Sequence, residues 1–183
     1  LVPVFCSHSV YADYAITMTT DDSVILHAPL RGGTAIGAAS VNVITNCTEG
    51  YSLTLNTISE DNYLYPDGDA SYRSTPGSYI APSDGVTALD QAPNTWGYLL
   101  SPTTPSSSSV FLPVPSSLDS PAILKTPAST ASETPIDDTF NVYYGVSTSS
   151  TLAPGSYRMP SPSGSNTSGF SYFIAASPTC ADN

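Results

Sequence analysis

Positive charge is almost missing from this sequence. Its 183 residues include four Lys and Arg against fifteen Asp and Glu, which gives a formal net charge of −11. Because a basic face supplies most of the affinity for nucleic acid, this balance excludes a nucleic-acid partner, and it disfavours anionic membrane surfaces. Charged residues make up only 10% of the chain, against roughly 25% in ordinary soluble domains. Few groups are therefore left for acid–base or metal chemistry.

Long apolar runs and cysteines are also scarce. No stretch approaches the ~20 apolar residues of a transmembrane helix, so no membrane span is expected. The three cysteines lack the C-x-x-C spacing of a zinc site. In an exported chain a disulfide is expected instead. A Cys47–Cys180 bridge is favoured because it would fasten the C-terminus to the sheet, and Cys6–Cys47 is the alternative.

Histidine is nearly absent as well. The only two, His8 and His27, do not lie beside a Ser or Cys in a recognised nucleophile motif. We therefore predict no catalytic residues, no cofactor and no enzymatic activity. The chain opens at Leu1 rather than Met, which indicates that an upstream segment was removed.

What the sequence does contain is alternation. Apolar and polar residues alternate, with the period of two typical of half-buried strands, within residues 13–20, 41–45, 51–55, 94–100, 140–146 and 170–176. No 3.6-residue period is sustained, and seventeen prolines are spread along the chain. The pattern predicts an all-β fold, an Ig-like Greek-key antiparallel β-sandwich with long Pro/Ser/Thr-rich loops and little or no helix. The expected core anchors are Tyr51, Leu53, Trp96, Tyr98, Val142, Tyr144 and Tyr172.

Two local predictions complete this organisation. The short segment Asn46–Gly50 lies between two alternating runs and ends in glycine, which predicts a β-hairpin loop. Residues 13–183 are expected to form a single β-sandwich domain, preceded by an extended segment over residues 1–12.

The N-terminal segment is apolar on both faces of an extended chain. Its candidate contact residues are Leu1, Val2, Val4, Phe5 and Cys6. An exposed sheet edge is a template for another strand, so this segment is a candidate donor strand that inserts into a neighbouring subunit. Such contacts are head-to-tail and produce filaments. The alternatives are that it folds back as a strand of its own domain or is the remnant of a secretion signal.

Four short motifs follow one another along the chain: Thr45–Leu55 with the sequence TNCTEGYSLTL, then Asn94–Tyr98 with NTWGY, Asp138–Val146 with DTFNVYYGV, and Ala153–Tyr157 with APGSY. This order resembles a family of extracellular β-sandwich modules in surface proteins of Gram-positive-like and small-genome candidate-phylum bacteria. The resemblance spans roughly residues 38–176. It implies display at a cell surface as an adhesin or filament subunit, with no enzymatic residues.

The chain departs from that family pattern in two places. A Pro/Ser/Gly-rich insertion at 160–169 separates the Pro-Gly-x-Tyr motif from the closing strand. No Leu-Pro-x-Thr-Gly sorting signal is found, so sortase anchoring is not expected.

Other candidate sites are weaker. Asn46 and Asn166 stand in N-glycosylation sequons, which suit an exported glycoprotein. The weak calcium candidates are Asp61, Asp67 and Asp69, since carboxylates on a turn are hard oxygen ligands, but solvated turn residues are the favoured explanation for them. Lys125, the only lysine, would form an isopeptide crosslink only with a buried acid beside it, and otherwise protects a sheet edge.

These observations favour a non-enzymatic, extracellular, pilin-like subunit of a surface filament. The expected partner is another copy of the same chain, in a homopolymer. The alternative is a monomeric adhesin or carbohydrate-binding module that contacts a host-surface protein or glycan through Tyr63, Tyr65, Tyr72 and Tyr79.

Overall fold

The fold is built almost entirely from β-strands, as the alternation predicts. The computed structural model describes residues 15–21, 23–29, 31–128, 135–161 and 170–176. Helical segments in these ranges are two short 3-10 helices, Ala70–Ser74 and Leu89–Gln91. The all-β class is therefore confirmed. The strands are β1 Ile16–Thr20, β2 Gly33–Thr45, β3 Tyr51–Thr57, β4 Tyr65–Pro66, β5 Ala81–Pro82, β6 Thr95–Leu100, β7 Ala122–Lys125, β8 Ile136–Thr148, β9 Tyr157–Arg158 and β10 Phe170–Ala176.

Two sheets carry most of these strands. The larger has the order β1-β2-β8-β6-β5, and the smaller has the order β10-β3-β7. The central ladder of the larger sheet is the antiparallel β2–β8 pair, which runs from Gly33 opposite Thr148 to Thr45 opposite Ile136. The short β5 lies parallel to β6, and β4 pairs with β9 apart from both sheets.

One hydrophobic cluster draws on both sheets, and we call it the inner cluster. Alternate residues of β2, β3 and β8 point into it, because side chains of a strand alternate between its two faces. Burial of these side chains is the main stabilising term of such a core. The buried members are Ala39, Val41, Val43, Tyr51, Leu53, Leu55, Ile80, Trp96, Tyr98, Val114, Val142, Tyr144, Val146, Leu152 and Met159.

The expected hairpin at Asn46–Gly50 is wrong. β2 pairs with β1 and β8, whereas β3 pairs with β10 and β7. The loop therefore carries the chain from one sheet to the other, and the two strands meet through side chains in the inner cluster. Gly50 enables this crossing, since it adopts φ +82° and a Cβ there would lie 2.6 Å from the backbone oxygen of Ala128.

A second cluster, the outer cluster, lies on the opposite face of the larger sheet. It consists of Leu89, Phe111 and Tyr143. Tyr143 alternates with Val142 and Tyr144 of the inner cluster, so β8 is buried on both faces here. The segment around Phe111 is held at the sheet edge by backbone hydrogen bonds between Leu112 and Tyr98, of 2.8 and 2.9 Å.

Within the described ranges, no helix has the length and apolar character required to cross a membrane. The extended segment predicted over residues 1–12 lies outside the described residues, as does the boundary expected at residue 13. The division into that segment and a 13–183 domain therefore stays a prediction.

Candidate functional site

An apolar groove of about 660 Å³ lies beside the inner cluster. That volume is within the usual range for a binding pocket. Side chains of the larger sheet, of the β4–β9 region and of the extended segment 23–29 line it. Its principal lining residues are Val24, Leu26, Leu64, Ile80, Trp96, Tyr144, Val146, Tyr157 and Met159.

The segment 23–29 borders this groove as an extended chain that pairs with no strand in the part of the protein that the structure describes. Val24, Leu26 and Ala28 are half-buried against the inner cluster, while Ile25 between them is 74% exposed. Among the described residues, its only backbone hydrogen bond is the one that the Pro29 carbonyl accepts from Gly32. The segment is therefore seated by side-chain packing alone.

Gly37 on β2 makes room for this segment. A Cβ at position 37 would lie 2.8 Å from Cδ2 of Leu26 and 3.1 Å from Cγ1 of Val24. The two apolar side chains therefore rest directly on the glycine backbone. The larger sheet therefore has a shallow depression at Gly37 that accommodates alternate apolar side chains of an extended chain.

The tyrosines proposed for sugar stacking pack mainly on one another. The rings of Tyr63, Tyr65 and Tyr79 lie 5.4 to 6.2 Å apart, and Tyr65 is fully buried. The guanidinium of Arg73 lies 4.4 Å from the centre of the Tyr63 ring, a cation–π contact. Tyr72 stays 42% exposed. Three of the four rings are thus committed to internal packing.

The calcium candidates are committed to local hydrogen bonds. Asp61 accepts from the Tyr65 hydroxyl at 2.8 Å and from Arg73 at 2.9 Å. Asp69 caps the first 3-10 helix by accepting from the Ser71 amide, and that hydrogen bond lowers the pKa of Asp69. Asp67 occupies a turn at φ 49°. No group of three His, Cys, Asp or Glu side chains that could hold a metal ion occurs within the described residues.

A charged contact joins the two sheets at Lys125. Its Nζ donates to Oδ2 of Asp138, and the Tyr51 hydroxyl donates to the same oxygen at 2.8 Å. Burial alone would raise the pKa of Asp138, but the hydrogen bonds from Lys125 and Tyr51 outweigh it and lower that pKa. Lys125 Nζ also lies 4.6 Å from the centre of the Tyr51 ring and 5.8 Å from that of Phe140.

Some of the remaining candidate residues lie within the described residues and others lie outside them. Asn46 is exposed, and its Oδ1 accepts from the Ala15 amide at 2.7 Å. Cys47 is fully buried, with its sulfur 3.1 Å from the Gly50 carbonyl oxygen. Cys6 and Cys180 are outside the described residues, so which of them joins Cys47 in a disulfide stays a prediction. The other candidates outside the described residues are Leu1, Val2, Val4, Phe5, His8 and Asn166. His27 is exposed beside the groove.

The structure places six of the seven expected core anchors in the inner cluster: Tyr51, Leu53, Trp96, Tyr98, Val142 and Tyr144. The backbone of Tyr172 in β10 stands opposite Leu55. Leu100, expected on the same face as Trp96 and Tyr98, is 37% exposed. Trp96 is further fixed because its indole N–H donates to the Asn62 carbonyl at 2.8 Å.

Buried tyrosines predict alkaline unfolding. Burial raises the pKa of Tyr51, Tyr65 and Tyr98 above 10.0, and hydrogen bonds to Asp138 and Asp61 raise those of the first two further. The unfolded chain ionises these groups near pH 10, so the stability they contribute is complete below that pH and is lost as the pH rises above it. We expect tyrosinate absorbance from these rings to appear together with the loss of near-ultraviolet circular dichroism.

Two variants test this expectation. Tyr98→Phe should move the unfolding transition to higher pH, whereas Tyr72→Phe, at an exposed ring, should leave it in place. Separate transitions in tyrosinate absorbance and in unfolding would contradict the expectation.

No known family model, curated protein or solved structure matches this chain. Its function must therefore be argued from its own residues.

Proposed function

We propose that this chain is a non-enzymatic, extracellular structural subunit of a pilin-like surface filament. In this proposal, residues 1–12 of one subunit insert as a strand into the apolar groove of the next. The observation that carries it is the segment 23–29, an extended apolar stretch seated by side chains but lacking backbone partners among the described residues. That edge has the character of a site for strand addition.

The fold supports this proposal at a coarser level. Two sheets share the inner cluster, as in an Ig-like Greek-key β-sandwich, which is the architecture we propose. Such a sandwich is open along its edges, where unpaired backbone groups accept another strand. The groove is bordered by the segment 23–29 and reaches Trp96 and Tyr144 in the core.

The proposed occupant fits the groove in length and chemistry. Twelve extended residues span about 40 Å, far enough to leave one subunit and run along the next. Leu1, Val2, Val4 and Phe5 are apolar, as is most of the groove lining. Apolar burial would provide the affinity, and the spacing of alternate side chains would set the register.

The location outside the cell follows from the composition and the cysteines. A chain with few cations, two sequons and a buried Cys47 suits an oxidising compartment. We favour the Cys47–Cys180 pair because β3 begins and β10 ends at the register pair Tyr51 and Ala176. Each cysteine is four positions along the chain from that pair, whereas Cys6 is nine positions before Ala15.

Deleting residues 1–12 tests the proposal. We expect the truncated protein to fold, to remain monomeric in analytical ultracentrifugation and to form no filaments in electron microscopy. A synthetic peptide of residues 1–12, with Cys6→Ser to prevent disulfide exchange, should bind this monomer. The matched control peptide carries Val2→Asp and Val4→Asp as well, and should not bind, because charges in an apolar groove are strongly disfavoured.

Filaments that persist without residues 1–12 would contradict the proposal. A full-length chain that is monomeric and binds glycans would instead support an adhesin or carbohydrate-binding module. The packing of Tyr63, Tyr65 and Tyr79 weighs against that alternative, since their faces are partly covered by one another and by Arg73.

A further inference from the structure

The only lysine of this chain does not extend into solvent. Lys125 is the last residue of β7 in the smaller sheet, and its side chain is 24% exposed. It reaches across to Asp138 on β8 of the larger sheet, whose side chain is 32% exposed. We propose that Lys125 and Asp138 form an intramolecular isopeptide bond that covalently joins the two sheets.

The identity of the cation supports this inference. The other cations, Arg31, Arg73 and Arg158, are all arginines, and the guanidinium would make a stronger bidentate pair with a carboxylate. A guanidinium cannot give up its proton, whereas a lysine amine can and then becomes a nucleophile. The cation that contacts Asp138 is therefore the one cationic side chain of the sequence that can form an amide.

The surroundings of the pair are suited to condensation. The rings of Tyr51 and Phe140 flank the Lys125 amine, which limits access of water. Condensation requires the neutral amine and the carboxylic acid, which the transfer of one proton from Lys125 to Asp138 supplies. The contact between Nζ and the carboxylate holds the reacting groups next to each other, so the reaction does not depend on a chance collision.

The reaction balances without a further reagent. The neutral Lys125 amine attacks Cγ of the Asp138 carboxylic acid, which carries its proton on Oδ1, and forms the C–N bond while negative charge develops on Oδ2. The Tyr51 hydroxyl donates to that oxygen and stabilises the charge. A proton then passes from the nitrogen to the other carboxyl oxygen, the C–O bond breaks, and water leaves. The ammonium and carboxylate have become an amide and one water molecule, with no change in oxidation state.

The intact mass of the wild-type protein tests this directly. After denaturation and reduction of disulfides, we expect a mass lower than that of the sequence by one water molecule. Because glutamate occurs at positions 49, 60 and 133, a Glu-specific protease cuts between Lys125 and Asp138. The fragments 61–133 and 134–183 should nevertheless remain joined as one branched species.

Three variants complete the test. Lys125→Arg retains the positive charge and Asp138→Ala removes the electrophile, so both should have the full sequence mass and release the two fragments separately. Tyr51→Phe removes the hydroxyl donor and should slow crosslinking by about tenfold or more in freshly synthesised protein. An unshifted wild-type mass, or a water loss that leaves the two fragments separable, would overturn the proposal and leave a simple ion pair between the sheets.

Discussion

Gly97→Ala is expected to lower the free energy of unfolding by about 3 kcal/mol or more, at the upper end of the cost of overpacking a core. A Cβ at position 97 would lie 2.4 Å from the backbone oxygen of Leu112. That oxygen accepts the Tyr98 amide, and the Leu112 amide donates to Tyr98 in return. The obstacle is therefore hydrogen-bonded backbone, which cannot move aside without breaking its contacts with the sheet.

Gly155→Ala provides the matched control, because its Cβ would meet only Cε2 of Tyr157 at 3.9 Å. Its effect should lie within about 0.5 kcal/mol, with a small gain from the lower entropy of the unfolded chain. Urea denaturation, compared at constant m-value, measures both changes. Equal midpoints for the two variants would show that the approach of Leu112 to β6 is not tight in solution.

Phe111→Ala is the second substitution with a large expected effect, a loss of about 3–5 kcal/mol. Phe111 is fully buried in the outer cluster. Its side chain lies over two glycines that stand opposite each other in the β6–β8 ladder, with Cβ beside Gly97 and the ring at Gly145. Because glycine has no side chain to fill the space, truncation of the ring would leave a cavity that the sheet cannot close.

Leu118→Ala is the control for this loss of apolar volume, since Leu118 is 73% exposed and should change stability by no more than about 0.5 kcal/mol. Gly145→Ala supplies a coupling test, because its Cβ would lie 2.7 Å from the Phe111 ring. Its cost should fall in the Phe111→Ala background, where that ring is gone. Additive costs in thermal or urea unfolding would contradict the packing of Phe111 on the glycine pair.

Strand positions were largely predictable from sequence because burial on one face imposes a period of two. Tyr51, Leu53 and Leu55 alternate with polar residues, and all three are buried in β3. The same signal found Val41 and Val43 in β2, and Val142 and Tyr144 in β8. In segment 23–29, Val24 and Leu26 also alternate in burial with their neighbours, yet the segment does not belong to a strand. Alternation reports which side chains are buried, not whether the backbone has a partner.

Strand pairings and contacts between residues that are distant in sequence could not be predicted from the alternation. A short loop ending in Gly50 is compatible with a hairpin or with a crossing between sheets, and only the choice of strand partners decides between them. The sequence singled out Lys125 and the need for an acid, but nothing local identifies Asp138 or Tyr51 as its neighbours. The burial of Phe111 could not be predicted either, because Gly145, which receives its ring, lies elsewhere in the chain.

The β2–β8 ladder has a consequence for how fast the chain folds. The pair closest in sequence joins Thr45 to Ile136, so about half of the 183 residues must be looped out before the central strands of the larger sheet can meet. Closing such a loop costs conformational entropy before the strand contacts that offset this cost have formed. Folding through such non-local pairings is therefore slow and typically takes milliseconds to seconds. A newly made chain therefore spends an appreciable time without its central β2–β8 ladder.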